Sequence, residues 1–158
     1  LGTFLMVQFV AAPFALLFGK LGTKLGNKKA ITLSLLIYTV VAIVGYFMTK
    51  DWHMFVLGFG VATVQGGSQA LSRSLTGKLI PKSKSAEFFG FFSVFEKFNT
   101  VLGPATMALV TKLTGNPRFG IISLVIFFAA GIWMLQKVDI ERGARKAQAE
   151  DQLMVVVE

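Results

Sequence analysis

Apolar stretches of about twenty residues recur along this chain, separated by short segments in which lysine and arginine collect, and that alternation restricts the fold more than any motif does. At about 1.5 Å of rise per helical residue, each stretch comes near the roughly 30 Å of hydrocarbon in a bilayer. Hydrophobic residues make up 54% of the 158 and charged residues 15%, more apolar material than one water-soluble core of this size shelters. No alternating strand pattern is present, and unpaired backbone is costly in hydrocarbon, so the stretches are expected to be helices. The expected fold class is therefore all-α, a polytopic transmembrane bundle of five spans at 1–18, 30–48, 52–72, 87–110 and 119–136. Residues 1–138 would form the bundle and 139–158 a polar tail, either a short cytoplasmic helix or a disordered end. The segments between spans carry the breakers Gly22, Gly26 and Asn27, then Gly77 and Pro81, then Gly115, Asn116 and Pro117.

Orientation follows from the cations. One side collects Lys20, Lys24, Lys28 and Lys29, then Arg73, Lys78, Lys82 and Lys84, then Lys137, Arg142, Arg145 and Lys146. The other holds Lys50, Lys112 and Arg118, which leaves Lys97 within a span. The positive-inside rule makes the richer side cytoplasmic, with the N-terminus outside and the C-terminus inside. Tyr46, Trp52 and Trp133 fall near span ends, where amphipathic rings favour the interface. The chain opens inside an apolar run without an initiator Met, and is read as a fragment whose N-terminal part is missing.

Several function classes drop out. Cysteine is absent and there is one histidine, His53, so thiol catalysis, disulfide scaffolds and the usual metal sites are not expected, and neither is a cofactor. The net charge of +8 lies between apolar blocks instead of forming a solvent-facing stripe, which argues against nucleic acid. No nucleophile–base pair or phosphate loop suggests an enzyme.

Three regions carry more specific information. Residues 19–29 read GKLGTKLGNKK, a short basic segment suited to a tight turn between helices, with Gly19, Gly22, Gly26, Lys28 and Lys29 as candidate gating residues. In the third span, Gln65, Gln69 and Ser72 share a face with Gly58, and Arg73 follows at the cytoplasmic mouth. Amides facing lipid are costly, so that face should meet either neighbouring helices or a solute cavity. A second ladder, Gly58, Ala62, Gly66 and Ala70, suits close helix packing. The fourth span holds Glu96, Lys97 and Asn99, with Lys97 roughly 15 Å along the helix from Glu87. Intramembrane charges are usually paired or line a pathway. Glu96 and Lys97 point about 100° apart and need not pair with each other, so one or both is expected to find a partner on another helix, either as a structural ion pair or, for Glu96, in proton coupling. Pro13 and Pro104 lie within spans and can kink them.

The 19–29 segment resembles the signature between paired helices of major facilitator transporters, although Thr23 stands at the acidic position, before Lys24. The phrases VQGGSQALSRS, LIP, AEFFGFF, GNPRFGIISL and QFVAAPFALLFGKL resemble, more narrowly, the vacuole-effluxer (autophagy-related) branch and its bacterial relatives, from about Gln8 to Val138. The resemblance implies a twelve-helix major facilitator fold, with this chain supplying part of the C-terminal half. It also implies secondary active transport of a small solute, with amino acids as the class associated with eukaryotic members. Under that reading Gln65, Gln69, Arg73, Lys97 and Asn99 would bind solute; Lys97 matches the family phrase, whereas Glu96 stands where a small residue is more usual, so chemistry common to the family should not depend on Glu96. The partners would be the bilayer, the missing N-terminal half, the small-molecule solute and protons, in a bacterial inner membrane. Two other readings stand beside it: a membrane-embedded structural or assembly subunit, and an intramembrane enzyme that would need a better acid pair than Glu87 and Glu96.

Overall fold

A computed structural model describes residues 2–49 and 52–157. Lys50 and the first residue of the first expected span lie outside the described residues. Among those described there are six α-helices and no strand: α1 (Gly2–Leu25), α2 (Asn27–Tyr46), α3 (His53–Leu79), α4 (Ser85–Thr114), α5 (Pro117–Lys137) and α6 (Ile140–Val157), with a short 3-10 turn at Lys82–Lys84. The all-α class is as the sequence led us to expect.

The helix ends are not. Residues 19–29 form no loop: α1 runs through Gly19, Gly22 and Lys24, α2 already contains Lys28 and Lys29, and Gly26 alone separates them. Its φ of 86° is one that residues with a side chain rarely adopt, so this glycine makes the hairpin possible. Helical structure persists beyond the apolar run because the flank keeps packing: Leu21 lies on the core cluster and Gly22 lets Leu71 of α3 approach. In the same way α3 continues through Gly77. Leu71, Leu75 and Leu79 recur every fourth residue against the core, which outweighs the about 1 kcal/mol that a helical glycine costs. Pro81 ends it, forcing Ile80 into extended backbone (φ −109°, ψ 143°). Asn116 caps α5 by accepting from the Arg118 amide, with Pro117 in the first turn. The tail takes the helical alternative, as α6.

Packing runs α1 on α3, α3 on α2, α2 on α5 and α5 on α4, an open arc and not a closed ring. The core lies among the first three helices: Phe18, Ala30, Ile31, Val64, Leu71 and Leu75. Part of the small-residue ladder makes this contact, since Ala62 is fully buried and a Cβ on Gly66 would stand 2.7 Å from the Ala11 carbonyl oxygen. Ala70 is exposed, and Gly67, outside the ladder, receives the Phe18 ring. At the other end of the arc, Gly120 of α5 fits against Met107 and Thr111 of α4.

The starts of α2 and α4 and the ends of α1, α3 and α5 gather at one end of the bundle. Lys28 donates to the carbonyls of Gln136 (2.9 Å) and Val138 (2.8 Å), capping α5 from the start of α2, a favourable place for a cation. Asn27 is held there by Ser74 (3.1 Å). At the opposite end, Arg118 donates to the Met48 carbonyl, and Tyr46 packs edge-on against Phe119. The two lysine-rich and lysine-poor sides of the sequence are thus two ends of one bundle.

Two described helices, Asn27–Tyr46 and Pro117–Lys137, are long and apolar enough to cross a membrane by length and composition. In α3 and α4 the apolar run is diluted by polar residues on an inward face, described next. The surface is nonetheless apolar: Phe91 and Phe98 of α4 are each 65% exposed and Leu113 is 76% exposed. Contiguous apolar surface of this kind suits lipid or further protein, not water.

Candidate functional site

The concave side of the arc encloses a cavity of about 420 Å³ bounded by α2, α3, α4 and α5. From α4 it takes Phe92, Phe95, Glu96, Asn99 and Thr100, spaced as one face of a helix. The facing contribution from α3 is Ser68, Gln69, Ser72 and Arg73. Behind them Tyr38 of α2 and Phe128 of α5 stack with ring centroids 5.4 Å apart, an aromatic wall opposite a polar rim.

The most informative contact spans this cavity. Arg73 of α3 donates through Nη2 to both carboxylate oxygens of Glu96 on α4, at 2.9 and 3.1 Å. These helices have no extensive packing with each other, so the ion pair joins the two free lips of the arc. Both side chains are partly accessible, 61% for Arg73 and 36% for Glu96. A guanidinium has five N–H donors, and only one of its amino groups is engaged here.

Of the residues singled out in the sequence, the structure brings together Gln69, Arg73, Glu96 and Asn99. It does not add Gln65, which lies about one turn, roughly 6 Å, along α3 from Gln69 and outside the lining. Nor does it add Lys97. With Glu96, Asn99 and Thr100 turned inward, a neighbour about 100° further round is carried off that face, and Lys97 makes no ion pair among the described residues. Gln65 and Lys97 therefore lie outside the lining of this cavity. The expected interhelical partner of Glu96 is Arg73. The residues of the 19–29 segment lie elsewhere, where Gly19, Gly22, Gly26 and Asn27 line a separate recess with Ser74 and Lys78. The sequence reading missed Ser68, Tyr38, Phe92, Phe95, Thr100 and Phe128. The helical spacing of Phe92 and Phe95 with Glu96 and Asn99 was the available signal. Among the described residues no group of histidine and acidic side chains could hold a metal ion.

The pattern of one protein family, described as "Vacuole effluxer Atg22 like", matches residues 2–148. The chain belongs to this family. It is 39% identical over 148 residues to an uncharacterized MFS-type transporter, YxiO, of Bacillus subtilis, covering 94% of this chain and 35% of that protein. It is 36% identical to autophagy-related protein 22 of Kluyveromyces lactis, over 64% of this chain and 20% of the yeast protein. With the Yarrowia lipolytica protein of the same name identity is 33%, over 67% and 19%. The chain thus spans about a third of the bacterial relative's length and a fifth of the fungal ones. No solved structure matches it significantly. As a member of this vacuole-effluxer branch of the major facilitator superfamily, the chain is a multi-pass integral membrane protein, in keeping with its apolar surface. The family is not an enzyme class.

Proposed function

We propose that this chain forms five spans of the C-terminal half of a secondary active transporter, and that a small zwitterionic solute, such as an amino acid, binds between α3 and α4. The single observation that carries this reading is the Arg73–Glu96 pair across the cavity. A solute with both a carboxylate and an ammonium group can replace each partner of that pair: its carboxylate takes the Arg73 donors and its ammonium takes Glu96. Gln69, Asn99, Ser72 and Thr100 can donate to or accept from the polar end, and Phe92, Phe95 and Phe128 offer apolar surface to a side chain. Exchange of one ion pair for two solute contacts loosens the link between α3 and α4. A rocking, alternating-access cycle needs that kind of coupling. Glu96, in the part of the cycle where neither Arg73 nor solute engages it, is the carboxylate available for proton coupling. Gly26 supplies the pivot between α1 and α2.

The arrangement also supports a plainer reading, an ion pair that only fixes helix packing in a membrane subunit. This chain contributes no cysteine of its own, so an introduced thiol is the only one it carries. In the full transporter reconstituted in liposomes, Ser72→Cys should be alkylated by a small thiol reagent, and a transported solute should slow that reaction while driving saturable uptake. No uptake of amino acids or related zwitterions, with alkylation indifferent to all of them, would leave the packing role alone.

The orientation proposed is N-terminus outside and C-terminus in the cytoplasm, in a bacterial inner membrane. It rests on the gathering of lysine and arginine at one end.

A further inference from the structure

Lys97 lies in the middle of α4, exposed and off the cavity. Its distance along the helix is about 18 Å from Ser85 and about 25 Å from Thr114, too deep for its stem to carry the ammonium to water at either end. Among the described residues no carboxylate meets it. Of the chain's eight acids, Glu96 is held by Arg73, and Glu87 lies in the first turn of α4, about 15 Å away. Two others dock α6 on the 3-10 turn before α4: Asp151 accepts from the backbone amides of Lys82 (2.9 Å) and Ser83 (3.1 Å), and Glu150 pairs with Lys84. Asp139 accepts from the Arg142 amide, and Glu141 pairs with Arg145 at 3.3 Å. Asp51 and Glu158 lie outside the described residues and outside the expected spans.

The strip of α4 around Lys97 is made of small residues. Between Gly90 and Ala108, at about 100° per residue, Gly90, Ser93, Pro104 and Ala108 fall within about 40° of Lys97, and Val101 is the one larger side chain among them. All are exposed, and a Cβ on Gly90 would meet nothing. The bulky face of Phe91, Phe98, Leu102 and Leu109 lies about 100 to 140° to one side, where it suits lipid. The cavity face of Phe92, Glu96 and Asn99 lies to the other. A water-filled pathway along the strip would need polar side chains, yet it offers only Ser93, whose hydroxyl donates to the Phe89 carbonyl of its own helix. Small residues in a row instead let a second helix approach closely.

We infer that the Lys97 strip of α4 seats a further helix of the complete transporter, one that carries an aspartate or glutamate at mid-bilayer depth to pair with Lys97. A cation inside hydrocarbon is stable only when paired or solvated, and this chain has spent its own carboxylates elsewhere. A second copy brings the same set, and its one carboxylate at this depth, Glu96, is already held by Arg73. Lipid headgroups are excluded by depth. The chain spans about a third of the bacterial relative's length, so a transporter of that size has other helices to supply the acid. The inference rests on this chain being part of a longer transporter and not on a solute binding between α3 and α4.

The test uses the complete transporter and reads its melting midpoint in detergent. Lys97→Gln should lower the midpoint, because a buried carboxylate loses its counter-charge, and Lys97→Arg should keep most of it. Each intramembrane acid outside this chain is then changed to its amide, alone and together with Lys97→Gln. One of these changes should lower the midpoint alone yet restore it in the double variant, and exchanging that acid with Lys97 should restore it as well. Gly90→Leu raises helix propensity and its Cβ meets no atom of this chain, so a lowered midpoint there reports a helix seated on the strip. Phe98→Leu, on the bulky face, should leave the midpoint nearly unchanged. An unchanged midpoint in Lys97→Gln or in Gly90→Leu, or a lowered one in Lys97→Gln that no acid rescues, would overturn the inference. Weakened solute affinity in Lys97→Gln at an unchanged midpoint would assign Lys97 to the solute instead.

Discussion

Arg73 and Glu96 hold together two helices that otherwise scarcely meet, through contacts of 2.9 and 3.1 Å at the edge of the cavity. An ion pair this accessible contributes about 0 to 1 kcal/mol to stability, whereas a hydrogen bond to a charged solute is worth about 1.5 to 3 kcal/mol. The two roles therefore separate by magnitude. Arg73→Gln should weaken solute affinity by roughly tenfold or more while leaving thermal stability nearly unchanged. The charge swap Arg73→Glu with Glu96→Arg should rebuild the pair without restoring uptake. Restored uptake in the swap would mean that the pair serves packing alone.

Gln69 sits beside Arg73 on the cavity rim and is itself exposed, so its amide is available to solute and not committed to a helix contact. Gln69→Leu keeps similar bulk and removes one donor and one acceptor. Affinity for a charged solute should fall roughly tenfold, with little change in melting temperature. Gln65→Leu, one turn away and outside the lining, should leave affinity unchanged. Measuring solute affinity and melting of both variants in the same detergent gives the comparison. A large stability loss with intact affinity in Gln69→Leu would assign that residue to packing.

These two glutamines also show how far the sequence could be read. Periodicity put Gln65, Gln69 and Ser72 on one face of α3, and they are on one face, but a helical wheel carries no depth. Which turn of the face opens on the cavity depends on where α4 and α5 close it. Similarly, residue spacing separated Glu96 from Lys97, yet nothing local to α4 could name Arg73 as the partner, because the pair depends on how the arc curves. Helix ends were misjudged for a related reason. Gly22 and Gly77 look like breakers when taken alone, but Leu71 packs over the first, and the Leu71, Leu75, Leu79 row holds α3 helical across the second. Class and composition were legible because they are properties of every stretch; contacts between distant stretches were not.

The hairpin between α1 and α2 depends on a backbone conformation that only Gly26 among its neighbours adopts, with φ 86° and ψ 146°. Gly26→Ala meets no neighbouring atom, so its effect is purely conformational and should cost about 1 to 3 kcal/mol. Gly67→Ala has an ordinary helical backbone but meets the Phe18 ring, and overpacking there should cost about 1 to 3 kcal/mol by prising α1 from α3. In a Phe18→Ala background, which lacks the ring and its Cγ, Gly67→Ala should cost less than it does alone, while Gly26→Ala should cost the same. Thermal unfolding of these variants distinguishes strain from overlap.

The two ends of the bundle differ in charge, and the proposed orientation makes the lysine-rich end cytoplasmic. A single cysteine at Thr23 or Ser83 should resist an impermeant thiol reagent in right-side-out vesicles, and one at Asn116 should react. The opposite labelling pattern would invert the topology.

Docking of α6 should depend on pH in a direction fixed by its two ionic contacts. Amides of Lys82 and then Ser83 hold the Asp151 carboxyl below its ordinary value, and the hydrogen bond and charge of Glu150 hold Lys84 above its own. A lowered carboxyl contributes stability above its unfolded pKa of about 3.9 and loses it as pH falls through the folded value. A raised lysine contributes fully below about 10.4 and loses its contribution as pH rises through the folded value. Between these limits docking should be flat with pH. Hydrogen exchange at the Lys82 and Ser83 amides, which donate to Asp151, reads the acid limb directly. Protection, corrected for intrinsic exchange, should hold near neutrality and decline below about pH 4. Asp151→Asn should lower protection at neutral pH and abolish the acid decline. Glu150→Gln should leave that decline in place, since Asp151 alone accepts from those amides. An unchanged acid profile in Asp151→Asn would show that the contact does not hold α6 against the turn.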